Sequence, residues 1–373
     1  MKVYLLFLLL VLAATTVIFW VERYNDRQVS YWQPTPTPMM HNHTFYFIGL
    51  SLVLILFAGL RGDSVGSDTG TYKIYYMHLS SYYEPGFVAL QNFFAQHGFS
   101  FTSFKVLVSF LTVGPIMFTI NKLSPYKFLS VYLFFATYSY FYSFNIMRQY
   151  VALAFILVAV YFILWVIKHP IGKYAICLIA IIVTYNFHKS SIVISPLLLL
   201  GMIKMSERWQ KRMLIIGAIL LVCLPPLSAQ MLSHIPGMTT ILKFFADGDS
   251  PFMQNRSGTL RYLLSFVKGG LVFFMLWLAN INKASSLAEQ YLYRVALILF
   301  ILYSFKFNAP AFTRIMQYAD GLLIFIIPFL LSKIEQKKWR LVLTVGVVGF
   351  FFVNLLAGLQ MNIGEIAPYH ITK

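Results

Sequence analysis

The chain has 373 residues, of which 59% are hydrophobic and only 11% charged, and its mean hydropathy is +0.72. An ordinary soluble domain carries about 25% charged residues, and a soluble core of this size could not hide so much apolar surface, which excludes a water-soluble enzyme. The net charge of +17 would point to nucleic acid in a soluble protein. Here the basic residues stand in short clusters between apolar runs, as topology determinants and contacts to membrane lipids do, so no nucleic-acid partner is expected.

At about 20 residues per crossing, the length admits about ten to twelve transmembrane helices. The 18% aromatic content suits a helical bundle with aromatic belts. Apolar runs fall at 3–21, 45–60, 103–120, 128–144, 150–167, 174–187, 191–203, 213–229, 265–281, 291–305, 314–331 and 341–359. The first has the length of a signal peptide, but no small-x-small cleavage site precedes Glu22, so it is read as a span. The expectation is an all-α, polytopic integral membrane protein with a single transmembrane domain over 1–373. Cys177 and Cys223 sit inside apolar runs and read as small core residues.

Lysines and arginines in short loops set the direction of insertion. Loops 204–212 (Lys204, Arg208, Lys211, Arg212) and 332–340 (Lys333, Lys337, Lys338, Arg340) are the most basic. With these spans they share one side, expected to be cytoplasmic, with loops 121–127, 168–173, 282–290 and 22–44, the last holding the stiff spacer 34–38, Pro-Thr-Pro-Thr-Pro. Both termini then face outward, as do loops 61–102, 145–149, 188–190, 230–264 and 306–313.

The outward loops hold most of the polar chemistry. Arg61-Gly62-Asp63 precedes Gly66-Ser67-Asp68-Thr69-Gly70-Thr71-Tyr72. Asp68 reads either as the cap of a helix that starts near Thr69 and carries Tyr72, Tyr75 and Tyr76, or, with Arg61, as the charged lip of a site. Glu84-Pro85-Gly86-Phe87 turns into a short helix at 86–97 whose Phe87, Leu90 and Phe94 share a face, expected to lie in the membrane interface. Glu84 itself either favours the positive helix N-terminus or joins the site. Asn145-Ile146-Met147-Arg148-Gln149 follows the aromatic run 138–142. Arg148 stands at the outer end of a span, against the charge bias. It snorkels or meets an anion; phosphate suits a guanidinium best, and Glu84 or Asp320 would be the protein alternatives.

His188, in Phe187-His188-Lys189-Ser190-Ser191, is either structural at a helix end or a proton acceptor. Loop 247–261 carries Arg256, Arg261 and Asp247-Gly248-Asp249. An Asp-x-Asp pattern serves metal-dependent sugar-nucleotide transferases, but those need a soluble nucleotide-binding domain that this chain lacks; a solvated loop is expected, with no metal. In Thr313–Asp320, Arg314, Gln317 and Tyr318 share one helical face. Asp320 lies within an apolar span, where an ionised carboxylate costs about 2.5–3.5 kcal/mol, so it needs a partner on a neighbouring helix or a substrate. Together these charges map to one membrane face, whereas a transporter keeps its key charges near the midplane.

Taken in order, Arg61 with Gly66-Ser67-Asp68 and Tyr72, Glu84-Pro85-Gly86-Phe87, Arg148-Gln149, Phe187-His188-Lys189-Ser190 and Arg314 resemble the EpsG family, counted among the Wzy-like bacterial polysaccharide polymerases, over roughly 45–330. The resemblance implies a glycosyltransferase of the bacterial cytoplasmic membrane, built as a helical bundle of the lipid-linked glycosyltransferase (GT-C-like) type. It would join oligosaccharide repeat units carried on polyprenyl pyrophosphate at the outer face and release polyprenyl pyrophosphate, with no cofactor and no obligatory metal. A flippase and a chain-length regulator would be its partners. For that chemistry Arg148 and Arg314, then Arg61, would stabilise the charge of the leaving pyrophosphate, with Gln149, Tyr72, Asp320 and Arg256 as further binding residues. His188 is the first choice of base, followed by Asp68 and Glu84. Tyr72, Tyr138 and Tyr142 would stack on sugar faces, unless they only pack. The rival readings are a flippase or exporter of the same lipid-linked units and a membrane acyltransferase that modifies the polysaccharide.

Overall fold

The computed structural model describes residues 2–25, 40–224, 234, 236, 258–279, 281, 285–305 and 310–372. In chain order these form α1 (Lys2–Asn25), α2 (Met40–Gly59), α3 (Thr69–Met77), α4 (Pro85–Gln96), α5 (Phe101–Leu123), α6 (Lys127–Ala136), α7 (Ser139–Asn145), α8 (Met147–Tyr161, continued by a π turn Phe162–Val166) and α9 (Pro170–Phe187). There follow α10 (Ser191–Ile194), α11 (Leu197–Met202), α12 (Glu207–Cys223), α13 (Gly258–Leu278), α14 (Leu287–Ser304), α15 (Pro310–Ser332) and α16 (Lys337–Gln360). Each apolar run of the sequence overlaps one of these helices or a pair of them. Among the described residues, six helical stretches are long and apolar enough to cross a membrane: Phe101–Leu123, Met147–Val166, Pro170–Phe187, Leu287–Ser304, Phe312–Ser332 and Lys337–Gln360. With no strand among the described residues, the protein is an all-α polytopic membrane protein.

The chain divides into two compact units, Met1–Lys189 with Gly349–Lys373, and Ser190–Val348. Neither boundary is a linker. One falls between α9 and α10 and the other inside α16, so no change of composition marks them.

Local signals explain where helices start. Ser100 caps α5, its hydroxyl accepting from the N–H of Ser103 at 3.1 Å. Ser206 caps α12, and Ser286 with Glu289 forms a capping box at α14. Pro85 and Pro170 occupy first turns, where the missing N–H costs nothing. The run 128–144, read as one span, is instead broken into α6 and α7. Tyr138 adopts the left-handed region (φ 68°) between them and is held there by bonds from its hydroxyl to the carbonyls of Gly358 (3.1 Å) and Ile363 (3.2 Å). Tyr138 is buried, so its ring packs and does not offer a sugar platform.

The apolar face of α4 also has a different fate from the one expected. Phe87 is fully buried, and with Leu90 and Phe94 it packs against Tyr72, Tyr76, Phe104, Val108, Met147 and Val151 of α3, α5 and α8. The protein, not the headgroup layer, takes up this face. Cys177 is buried as expected, whereas Cys223 is exposed on α12.

The segment after α16, residues 361–372, folds back along the loop that follows α2. Gly62 N–H donates to His370 O (2.7 Å), Gly66 N–H to Glu365 O (3.0 Å), Ser67 N–H to Gly364 O (2.9 Å), and Thr372 N–H to Leu60 O (2.9 Å). The hydroxyl of Tyr4 in α1 donates to Ile366 O. The first turn of α1, the loop 60–67 and the segment 361–372 therefore meet in one place.

Candidate functional site

Within the first unit, three sequence motifs converge on the carboxylate of Glu84. Glu84 precedes α4 in extended conformation (φ −63°, ψ 146°), with Pro85 opening the helix. Its side chain does not cap α4 but reaches to α8 and α9. Oε2 accepts from a terminal nitrogen of the Arg148 guanidinium. Oε1 faces Nδ1 of His188 at 3.2 Å and accepts from the N–H of Lys189 at 3.0 Å. His188 ends α9 in extended conformation (φ −160°, ψ 115°), its N–H bonded to Thr184 O at 2.9 Å. This turn aims both the imidazole and the next peptide N–H at Glu84. Gly86 makes the approach of α4 to α9 possible, since a Cβ there would lie 2.9 Å from the carbonyl oxygen of Asn186.

Arg148 is the second residue of α8 and its guanidinium is gripped on several sides. Nε donates to the Tyr72 hydroxyl at 3.3 Å, and Cζ lies 4.0 Å from the centre of the Tyr83 ring, a cation–π contact. Gln149 beside it is buried. The side chains of Glu84 and Arg148 are only 10% and 12% exposed, and that of His188 2%. Burial alone would raise the Glu84 pKa. The bond with His188, the charge of Arg148 and the Lys189 N–H outweigh it and hold the carboxyl down at about 2. Glu84 is therefore ionised, engaged by three neighbours and a weak base. Arg148, standing against the charge bias, has found its anion in the protein, and the bias alone no longer calls for an anionic ligand.

Tyr83 was not singled out from the sequence; the run Tyr82-Tyr83-Glu84 offers no local mark in a chain with 24 tyrosines. Burial, Tyr72 and the negative charge of Asp68 all raise its pKa, while Arg148 opposes them. Asp68 thus acts electrostatically on this cluster. It precedes α3 as expected but makes no capping bond, and its Oδ1 accepts from the Ser67 hydroxyl at 3.0 Å.

Arg61 has a different setting. It is 1% exposed, with one guanidinium nitrogen donating to Ala58 O, another to Phe144 O at 2.7 Å, and Cζ 4.9 Å from the Phe144 ring centre. Burial lowers its pKa to about 10, leaving it charged at neutral pH. Backbone carbonyls, which close the end of α2 onto the end of α7, occupy the group expected to bind pyrophosphate. Around it Asp63 pairs with Lys73 (2.8 Å) and with the buried Lys105 of α5 (2.6 Å), and Lys105 also donates to Thr372 Oγ1 at 3.1 Å. These two lysines hold the Asp63 carboxyl below its ordinary pKa against the opposing effect of burial.

The remaining candidates belong to the second unit. Asp320 of α15 accepts a bidentate contact from Lys268 of α13 (2.8 Å to each oxygen) and a bond from the Tyr303 hydroxyl of α14 (2.7 Å). Its partners here are on neighbouring helices of the same unit, one of the two alternatives that the sequence left open. Arg314 is half-buried in the first turns of α15, on one face with the buried Gln317 and Tyr318. Arg256 and the pair Asp247 and Asp249 lie outside the described residues.

The family model of EpsG matches residues 44–371, nearly the whole chain, so the chain belongs to the EpsG family, a Wzy-like polymerase family. No curated protein and no solved structure matches it.

Proposed function

Given that membership, we propose that the protein is a polysaccharide polymerase that joins polyprenyl-pyrophosphate-linked repeat units at the outer face of the bacterial cytoplasmic membrane. The observation that supports this reading is the convergence of Glu84, His188 and Arg148 from three helices on one carboxylate. A carboxylate facing Nδ1 favours the tautomer with its proton there, and so leaves Nε2 as the basic nitrogen of His188. In the transfer, a sugar hydroxyl of the acceptor unit attacks the anomeric carbon of the donor glycan. The bond from that carbon to the pyrophosphate oxygen breaks, the hydroxyl proton passes to Nε2, and polyprenyl pyrophosphate leaves with the bonding pair. Arg148 stabilises the leaving charge by exchanging Glu84 for phosphate, a trade its planar fork permits. Because His188 is buried, the acceptor reaches it only when neighbouring side chains give way. The helical arrangement in this reading is that of a lipid-linked glycosyltransferase.

The test is chromosomal His188→Ala. The reading expects cells that keep the protein in the membrane, make no polymer, and accumulate single repeat units on polyprenyl pyrophosphate exposed at the outer face. Normal-length polymer would overturn it. Units trapped at the inner face would favour a flippase instead.

A further inference from the structure

The short helix α7 ends three residues before Arg148, and its two ends meet the last turn of α16 and the segment that follows it. At its start, the Tyr138 hydroxyl is bonded to Gly358 O and Ile363 O. At its end, buried Asn145 is wedged between two glycines. A Cβ on Gly364 would lie 2.0 Å from Asn145 Nδ2, and a Cβ on Gly66 would lie 2.5 Å from Asn145 Oδ1. Both glycines have positive φ (77° and 105°), so the backbone passes Asn145 at a distance that no other residue type allows. Arg61, paired through its backbone with Ile371, adds the bond to Phe144 O at 2.7 Å. A second route reaches Arg148 from its other side. Thr372 and Lys105 anchor the loop at Arg61 and Asp63, Asp63 holds Lys73 on α3, and the neighbouring Tyr72 accepts from Arg148 Nε.

We propose that the segment 361–372 is a positioning element for Arg148, acting through Asn145 on one side and through Asp63, Lys73 and Tyr72 on the other. None of its residues is catalytic; it fixes where α8 begins and so where the guanidinium points. The inference rests on the polymerase reading for its activity readout alone.

The experiment is a double-mutant cycle in the full chain: Gly364→Ala, Asn145→Ala and the pair. Purified proteins are assayed with a polyprenyl-pyrophosphate-linked repeat unit of defined structure, alongside thermal unfolding and hydrogen exchange of peptides covering 142–150. Gly364→Ala is expected to lower kcat roughly tenfold with the donor KM nearly unchanged, because its methyl displaces Asn145 and the start of α8, and with them the guanidinium that stabilises the leaving charge; in the Asn145→Ala background the same change adds little, the non-additivity of sites in contact. Its effect on melting temperature should shrink but not vanish in the Asn145→Ala background, because the strain of alanine at positive φ remains once the clash with Asn145 is gone. Exchange across 142–150 should quicken in Gly364→Ala and return towards wild type in the pair. Additive kcat effects, or a loss of kcat that follows melting temperature alone, would overturn the proposal. So would unchanged exchange, which needs no substrate and therefore decides the matter even if the wild-type protein makes no polymer and the polymerase reading fails.

Discussion

Glu84→Gln keeps the outline of the side chain and removes one acceptor. Both oxygens of Glu84 accept: Oε1 from His188 and the Lys189 N–H, Oε2 from Arg148. A glutamine offers a carbonyl on one side and an NH2 on the other, so in either orientation a donor faces a donor. If it keeps His188, the charge-assisted bond to Arg148 is lost, about 1.5–3 kcal/mol, and a poorly solvated guanidinium stays behind. Proton linkage arrives at the same scale. The carboxyl is held at about 2 against an ordinary 4.5, and at about 1.4 kcal/mol per pKa unit the ionised group contributes at most about 3 kcal/mol at neutral pH. Melting of purified protein in detergent, followed by intrinsic fluorescence, reads this out. At roughly 2–4 °C per kcal/mol for units of 150–250 residues, Glu84→Gln should melt roughly 3–12 °C lower at pH 7. The pKa is depressed, so the wild-type contribution is complete above about pH 4.5 and is lost as pH falls towards about 2; over that window the gap between wild type and variant should close. Equal melting at pH 7, or a gap that persists undiminished at about pH 2.5, would refute the reasoning.

Arg148→Lys retains a charge for Glu84 but loses the Nε bond to Tyr72 and the stack on Tyr83; the protein should insert normally and lose roughly 10²-fold in polymerisation rate, whereas near-normal rates would mean that charge alone suffices. Gly86→Ala places a methyl 2.9 Å from Asn186 O and should cost about 1–3 kcal/mol by prising α4 from α9, with an unchanged melting temperature arguing against the close approach. Asp320→Asn leaves Lys268 buried without its carboxylate, and should destabilise by about 3–5 kcal/mol, while the pair Lys268→Met with Asp320→Leu should recover most of it. A stable, folded but inactive Asp320→Asn protein would return Asp320 to the substrate.

The helices were legible because each apolar run is long and the breaks between runs carry Ser, Pro and Gly in capping and turning positions. The break at Tyr138 was not, since its left-handed backbone is imposed by bonds to residues more than 200 positions away. Glu84, Arg148 and His188 could be picked out one by one, as charged or titratable groups between apolar runs. Their meeting could not, because a pairing across 64 and 104 positions leaves no local pattern. Lys105 and Lys268 sit inside apolar runs as isolated charges, and only the fold supplies Asp63 and Asp320 as their partners. Arg61 shows the converse: a conspicuous arginine in a glycine-rich loop looked like a ligand contact, but backbone carbonyls take it up.

The central claim is that this protein makes glycosidic bonds from a lipid-linked donor. Purified protein in nanodiscs, supplied only with a polyprenyl-pyrophosphate-linked repeat unit and no nucleotide sugar, should yield a ladder of polymer and release one polyprenyl pyrophosphate per bond formed, and the His188→Ala protein should yield neither. Wild-type protein that binds the lipid-linked unit, or carries it across a vesicle membrane, without forming dimers or longer products would contradict the account.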